Sequence, residues 1–312
     1  MGKINTTLTG SPPCCWGQWG LGLMIAALLM WGAGVSHAQE SPVSEGASVE
    51  KIAGDFEFTE GPIWFDGALL FSDIPANTVY RWTAEDGVRP FLQPSGHANG
   101  LAVGGDGHLL LAQHDGQVGR RGGDGSVTAL VQSYEGQRLN SPNDLTVAED
   151  GTIYFTDPPY GVEEDERALS FSGVYRLDAD GTLTLLTKAF ERPNGIVLSP
   201  DEETLYVNDS RASRIWTYEL GPEGGIENKQ VFATPTDTAA DGTTDGMTVD
   251  AQGRLYTTGP GGLWIYAPDG TRLDRVPVPE APTNVTLGGP EGETLYITAR
   301  PNVYRLPIQL NE

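Results

Sequence analysis

The chain has 312 residues, 38% of them hydrophobic, and a formal net charge of −23. That length supports a sizeable buried core, and so acidic a surface repels nucleic acid and anionic membranes. The only cysteines, Cys14 and Cys15, lie near the start, so the rest of the chain has no disulfide, thiolate metal site or cysteine nucleophile.

In chain order, residues 1–38 read as an export signal. Lys3 gives a positive start, Leu21 to Leu29 an apolar core, and Ser36-His37-Ala38 a small-x-small cleavage site before Gln39. The apolar run is short for a membrane span, although retention as an anchor is the other reading. The first six residues also fit the myristoylation pattern, a match that an export signal directly behind makes accidental. The expected product is exported, to a periplasm or beyond. Residues 39–48 are polar and read as a flexible linker.

From residue 49 to the end one phrase repeats. A polar anchor is followed by a short apolar strand, a polar turn, a second apolar strand and a third. The anchors are Glu60, Asn99, Asn143, Asn194, Asp245 and Asn284, spaced 39 to 51 residues apart. Several strands per unit at such a period mark a β-propeller. Turns such as Asp66-Gly67, Asp106-Gly107 and Asp150-Gly151 fit hairpins. Second strands such as Leu69-Leu70-Phe71 and third strands such as Val79-Tyr80-Arg81-Trp82 have strand composition. Fourth strands are visible in five units and missing from the sixth. Val49-Glu50-Lys51-Ile52 precedes the first anchor where a fourth strand would. The expectation is an all-β fold over 49–312: six blades of four antiparallel strands, closed by the N-terminal strand, with no exposed sheet edges.

The first strand of each propeller blade lines the central channel, so all six anchors start at one mouth. Second-strand ends return there, bringing Asp73, His114, Asp157 and Asp209. Crowded carboxylates repel unless a cation compensates. The donors are carboxylates and amide oxygens, which suit a hard cation, Ca²⁺ more than Mg²⁺. Capping a turn accounts for any single anchor. Cation binding accounts for Glu60, Asn143, Asn194 and Asp245 as a set, and Asn99 and Asn284 are left as turn residues.

Glu60-Gly61-Pro62, Ser141-Pro142-Asn143-Asp144, Asp157-Pro158-Pro159-Tyr160-Gly161, Arg192-Pro193-Asn194-Gly195 and Asp245-Gly246-Met247 together resemble the gluconolactonase, regucalcin and senescence-marker-protein family, over about residues 49 to 306. That resemblance implies a six-bladed propeller lactonase with a channel cation held by Glu60, Asn194 and Asp245. It implies that Asn143 touches metal region and substrate, and that Asp245 accepts and donates the proton. Regucalcin-like members carry an Arg where this chain has Ser141, which leaves the polyol preference open. His114 and Tyr160 are further candidates for contact with substrate, Tyr160 with Phe171 in a lid over 158–172. The expected partner is a small lactone opened to its aldonic acid, with the cation as Lewis acid and a carboxylate as base. No Gly-x-Ser-x-Gly elbow is present. The rivals are a non-catalytic binding propeller, a lactonase for non-sugar lactones, and a quinone-dependent dehydrogenase, for which no basic cluster stands at the mouth.

Overall fold

A computed structural model describes residues 40–221 and 224–310. The expected export signal and the two cysteines lie outside the described residues. Six four-stranded antiparallel sheets follow one another along the chain, spanning 59–92, 98–131, 145–187, 193–233, 247–277 and, for the sixth, 284–307 with 50–53. This is the six-bladed propeller that the repeat implies. Closure takes the expected form: Glu50–Ala53 pairs antiparallel with Asn302–Pro307, Glu50 opposite Arg305 and Lys51 opposite Tyr304.

Why the blades pack as a ring is visible in the second strands. Leu69, Leu70 and Phe71 in blade 1, and Leu295 and Ile297 in blade 6, are fully buried. A stretch of strand buried on both faces reads as an apolar run, as Leu69-Leu70-Phe71 and Leu295-Tyr296-Ile297 do. The apolar side chains form six clusters, one between each pair of neighbouring blades. Leu69, Phe71 and Trp82 of blade 1 meet Tyr296 and Val303 of blade 6, so the seam that closes the ring is as apolar as the others. Burial of this kind contributes about 25 cal/mol per Å² removed from water.

The innermost strands are tied together at the anchors. Gly100 N donates to the carbonyl of Asn143 at 2.7 Å, and Gly195 N to that of Asp245 at 3.1 Å. Glycine follows four anchors because the next blade's anchor abuts it. A Cβ on Gly61, whose φ is +48°, would fall 1.9 Å from the Asn99 carbonyl oxygen, and one on Gly246 1.8 Å from Asn284 Cγ.

Residues 40–48 of the polar stretch depart from a free linker. Pro42 is buried and its carbonyl accepts from Gln309 N at 2.8 Å, and Ser41 Oγ donates to Asp274 at 2.6 Å. Val43 adds an apolar contact to the cluster between blades 5 and 6.

Candidate active site

A cavity of ≈ 450 Å³ opens at the anchor end of the channel, and its lining includes Glu60, Asn99, His114, Asn143, Tyr160, Asn194 and Asp245. Glu60, Asn143, Asn194, Asp245, His114 and Tyr160, expected from the sequence to bind metal or substrate or to catalyse, therefore line one space. Phe58, Ile74 and Pro75 supply an apolar wall, Ser210 and Thr243 further hydroxyls.

Glu60, Asn143 and Asn194 are only 3%, 3% and 5% exposed. Glu60 Oε2 accepts from its neighbour's backbone, Gly61 N, at 2.9 Å and from Asn284 Nδ2 at 3.0 Å. Burial raises the Glu60 carboxyl to about 7, against the pull of those two donors. Asp245 is raised well above the carboxylate range by burial, then by the charges of Glu60 and Asp144; the Asn194 amide and the Arg300 charge oppose the rise. Asp144, which the sequence reading passed over, is 8% exposed and pushed up to about 8 by burial and by Glu60. Three carboxyl groups thus act on one another in a buried site, an arrangement that favours either bound protons or a bound cation.

Among the described residues, no group of three His, Cys, Asp or Glu side chains is placed to hold a metal. A cation would have to take two carboxylates, Glu60 and Asp245, together with the amide oxygens of Asn143 and Asn194. One observation fits that set: Asp245 Oδ1 is buried and has no hydrogen-bond partner. A bare carboxylate oxygen beside hard amide oxygens suits a dication of the Ca²⁺ type.

The other second-strand ends are a correction. Asp73, Asp157 and Asp209 do not join the ring of donors. Asp73 accepts from Glu57 N and Phe58 N at 3.1 and 3.0 Å, Asp157 from Asn140 N at 2.9 Å, and Asp209 from Glu191 N and Arg192 N at 2.9 and 3.3 Å. Each fastens the segment leading into an anchor.

His114 does reach the cavity. Burial, then the charge of His97, lowers its pKa to about 4, so the ring is neutral at pH 7. Asn99 Nδ2 lies 3.2 Å from His114 Nε2. With the amide donating to Nε2, the ring proton sits on Nδ1. Asn99 and Asn284, read from sequence as turn residues, therefore position His114 and Glu60. A polar anchor with no charge of its own gave no signal of that role.

The Asp157-Pro158-Pro159-Tyr160-Gly161 turn is built to present Tyr160. Ser141 Oγ donates to Pro158 O at 2.9 Å and accepts from Gly161 N at 2.8 Å. Ser141 is thus consumed in fastening the turn. Arg138 is bonded to the carbonyls of Leu139 and Asn140, both at 3.2 Å. Tyr160 is 42% exposed, with the Arg192 guanidinium 5.0 Å above its ring. Phe171 does not share this role. It packs against the core cluster holding Phe155 and Tyr175, with Lys188 over its ring. The acidic part of the loop forms a short 3₁₀ turn, Glu164–Glu166.

The family model described as SMP-30/Gluconolactonase/LRE-like region matches residues 58–300. The chain belongs to this family. Within it, a gluconolactonase of Zymomonas mobilis subsp. mobilis is 40% identical over 288 residues, covering 83% of this chain and 80% of that protein. A pentonolactonase of Haloferax volcanii is 30% identical over 249 residues, covering 77% of this chain and 80% of its own length. The structure of a gluconolactonase from Xanthomonas campestris superimposes with a TM-score of 0.78 at 32% identity, covering 86% of this chain and 91% of that one. The matched family region holds all six anchors and the Asp157 to Gly161 turn.

Proposed function

We propose that this protein is a divalent-cation-dependent hydrolase that opens sugar lactones to their aldonic acids. The observation carrying the proposal is the single cavity lined by Glu60, Asn143, Asn194 and Asp245, together with a buried Asp245 oxygen that has no hydrogen-bond partner. The gluconolactonase and pentonolactonase relatives support the substrate class.

Glu60, Asn143, Asn194 and Asp245 would hold the cation, with Ca²⁺ the first candidate. When bound, such an ion polarises a carbonyl and lowers the energy of the developing oxyanion. Asp245 takes a proton from the attacking water as its oxygen bonds to the carbonyl carbon. The bond from that carbon to the ring oxygen then breaks. Asp245 returns the proton to the departing ring oxygen, leaving a hydroxyl at one end and a carboxylic acid at the other. Asn143 orients the substrate, Tyr160 covers it, and neutral His114 offers a hydrogen bond without adding charge. The wall of Phe58, Ile74 and Pro75 limits bulk water. Export with cleavage after Ala38 belongs to the same proposal, and mature protein beginning at Gln39 is its expected mark.

The test is a pH-stat panel of γ- and δ-aldonolactones with chelated and Ca²⁺-restored protein. Acid release that requires the cation supports the reading. Tight binding of lactone without acid release at any metal concentration would replace it with a non-catalytic binding propeller.

A further inference from the structure

A second cavity of ≈ 390 Å³ has Asp241, Glu280 and Arg300 on its walls together with Val278, Pro279 and Ala281. Two segments join the two spaces. Thr59 N and Thr59 Oγ1 both donate to the Arg300 carbonyl, at 2.8 and 2.7 Å, which sets Arg300 beside Phe58 and Glu60 of the first cavity. Asp241 stands two residues before Thr243, which also lines the first cavity.

Arg300 has two unusual properties. Its φ is +54°, in the left-handed region that residues with a side chain seldom occupy and that recurs at functional positions. Its guanidinium makes no hydrogen bond or ion pair among the described residues. Other arginines of this face are engaged: Arg138 on two carbonyls, Arg192 over Tyr160, Arg211 with Glu191 at 3.5 Å, Arg275 with Asp237 at 2.7 Å. Arg300 shares its cavity with two carboxylates, yet closes onto neither. Glu280 instead accepts from the Tyr304 hydroxyl, which fixes its side chain.

The chemistry of these walls selects the ligand. An anion would meet Asp241, Glu280 and the field of a chain at −23. A cation would meet Arg300. A neutral polyhydroxyl chain can donate to the carboxylates and accept from the guanidinium, while its C–H face lies on Val278 and Pro279. Resting on the lactonase reading, we propose that this cavity is a polyol subsite for the hydroxylated tail of the lactone, with Arg300 as donor and Asp241 and Glu280 as acceptors.

The test compares the full chain with Arg300→Met and Asp241→Asn, the latter an exposed loop position whose replacement leaves the core intact. The first readout is the ratio of kcat/KM for δ-gluconolactone to that for δ-valerolactone, which lacks the hydroxyls. The second is calorimetric binding of D-glucitol, an uncharged polyol that no lactonase step consumes. Loss of one charged hydrogen bond should lower the ratio about tenfold in either variant, mainly through KM for gluconolactone, and weaken glucitol binding about as much. A ratio unchanged in both variants, or glucitol binding that is absent from the parent or unaltered in the variants, overturns the subsite. If the parent hydrolyses neither lactone, the lactonase reading falls, and the glucitol measurement alone decides this proposal.

Discussion

Replacing Glu60 with Gln separates binding from stability. In the metal-free protein the Glu60 carboxyl is raised from 4.5 to about 7, chiefly by burial. A carboxyl whose folded value lies above its unfolded value favours folding in its protonated form. That contribution is complete below pH 4.5 and is lost as pH rises through 7. By pH 8 the buried charge costs the metal-free protein about 3 kcal/mol, and at pH 5.5 roughly half as much. Gln keeps the shape, and its amide oxygen can accept from Gly61 N and Asn284 Nδ2 as the carboxylate does. Metal-free Glu60→Gln should therefore be the more stable protein at pH 8, with Tm higher by roughly 5 to 10 °C, and less so at pH 5.5. Calcium should reverse the order, raising the parent's Tm while leaving the variant's nearly unmoved. Differential scanning calorimetry at the two pH values, with chelator and with Ca²⁺, reads all of this. A variant that is less stable than the parent in chelator at pH 8, or that gains as much from Ca²⁺, would refute the reasoning.

Four other outcomes are expected. Asp245→Asn should lose on the order of 10² to 10⁴ in kcat, more than it loses in Ca²⁺ affinity, because it removes the proton acceptor as well as a charge; Asn143→Ala should lose turnover with Ca²⁺ still bound, and calorimetry beside initial rates distinguishes the two. His114 should stay neutral down to about pH 4 in an NMR titration; since its folded pKa is depressed, its contribution to stability is present above pH 6.5 and drains away as pH falls toward 4, and a midpoint near 6.5 would contradict its burial. Removing residues 1–54 deletes the strand Glu50–Ala53 and should unfold the ring at lower denaturant, whereas removing 1–44 gives up, among the described residues, the Ser41, Pro42 and Val43 contacts; equal midpoints would count against closure. Asp250→Ala strands Arg254, 2% exposed and held by Asp250 Oδ2 at 2.5 Å, and should cost about 3 to 5 kcal/mol in urea unfolding.

The repeat made most of the fold legible. Apolar second strands, hairpin turns and a missing last strand imply blades and their closure before any coordinate is known, because strand periodicity and edge satisfaction are local demands on sequence. The anchors were legible for the same reason: the register that makes Glu60, Asn143, Asn194 and Asp245 start inner strands also brings them to one mouth. What stayed hidden depends on side-chain direction. Asp73, Asp157 and Asp209 sit at the right strand ends, yet each turns at least one oxygen to a backbone N–H group. Asn284 and Asn99 share the composition of turn residues and act through the partners they hold. Phe171 and Tyr160 share a loop but part company because one side chain finds a core cluster within reach. Asp144 occupies the place that glycine takes after four other anchors, a substitution that the repeat exposes once the blades are aligned.

The most direct measurement of the central claim is δ-gluconolactone hydrolysis by the chelator-treated protein, followed in a pH-stat as Ca²⁺ is titrated back. The account predicts negligible catalysis without the ion and saturable recovery, with Asp245→Asn failing to recover at any Ca²⁺ concentration. Full activity in the chelated parent, or recovery by Asp245→Asn to the parent's rate, would contradict it.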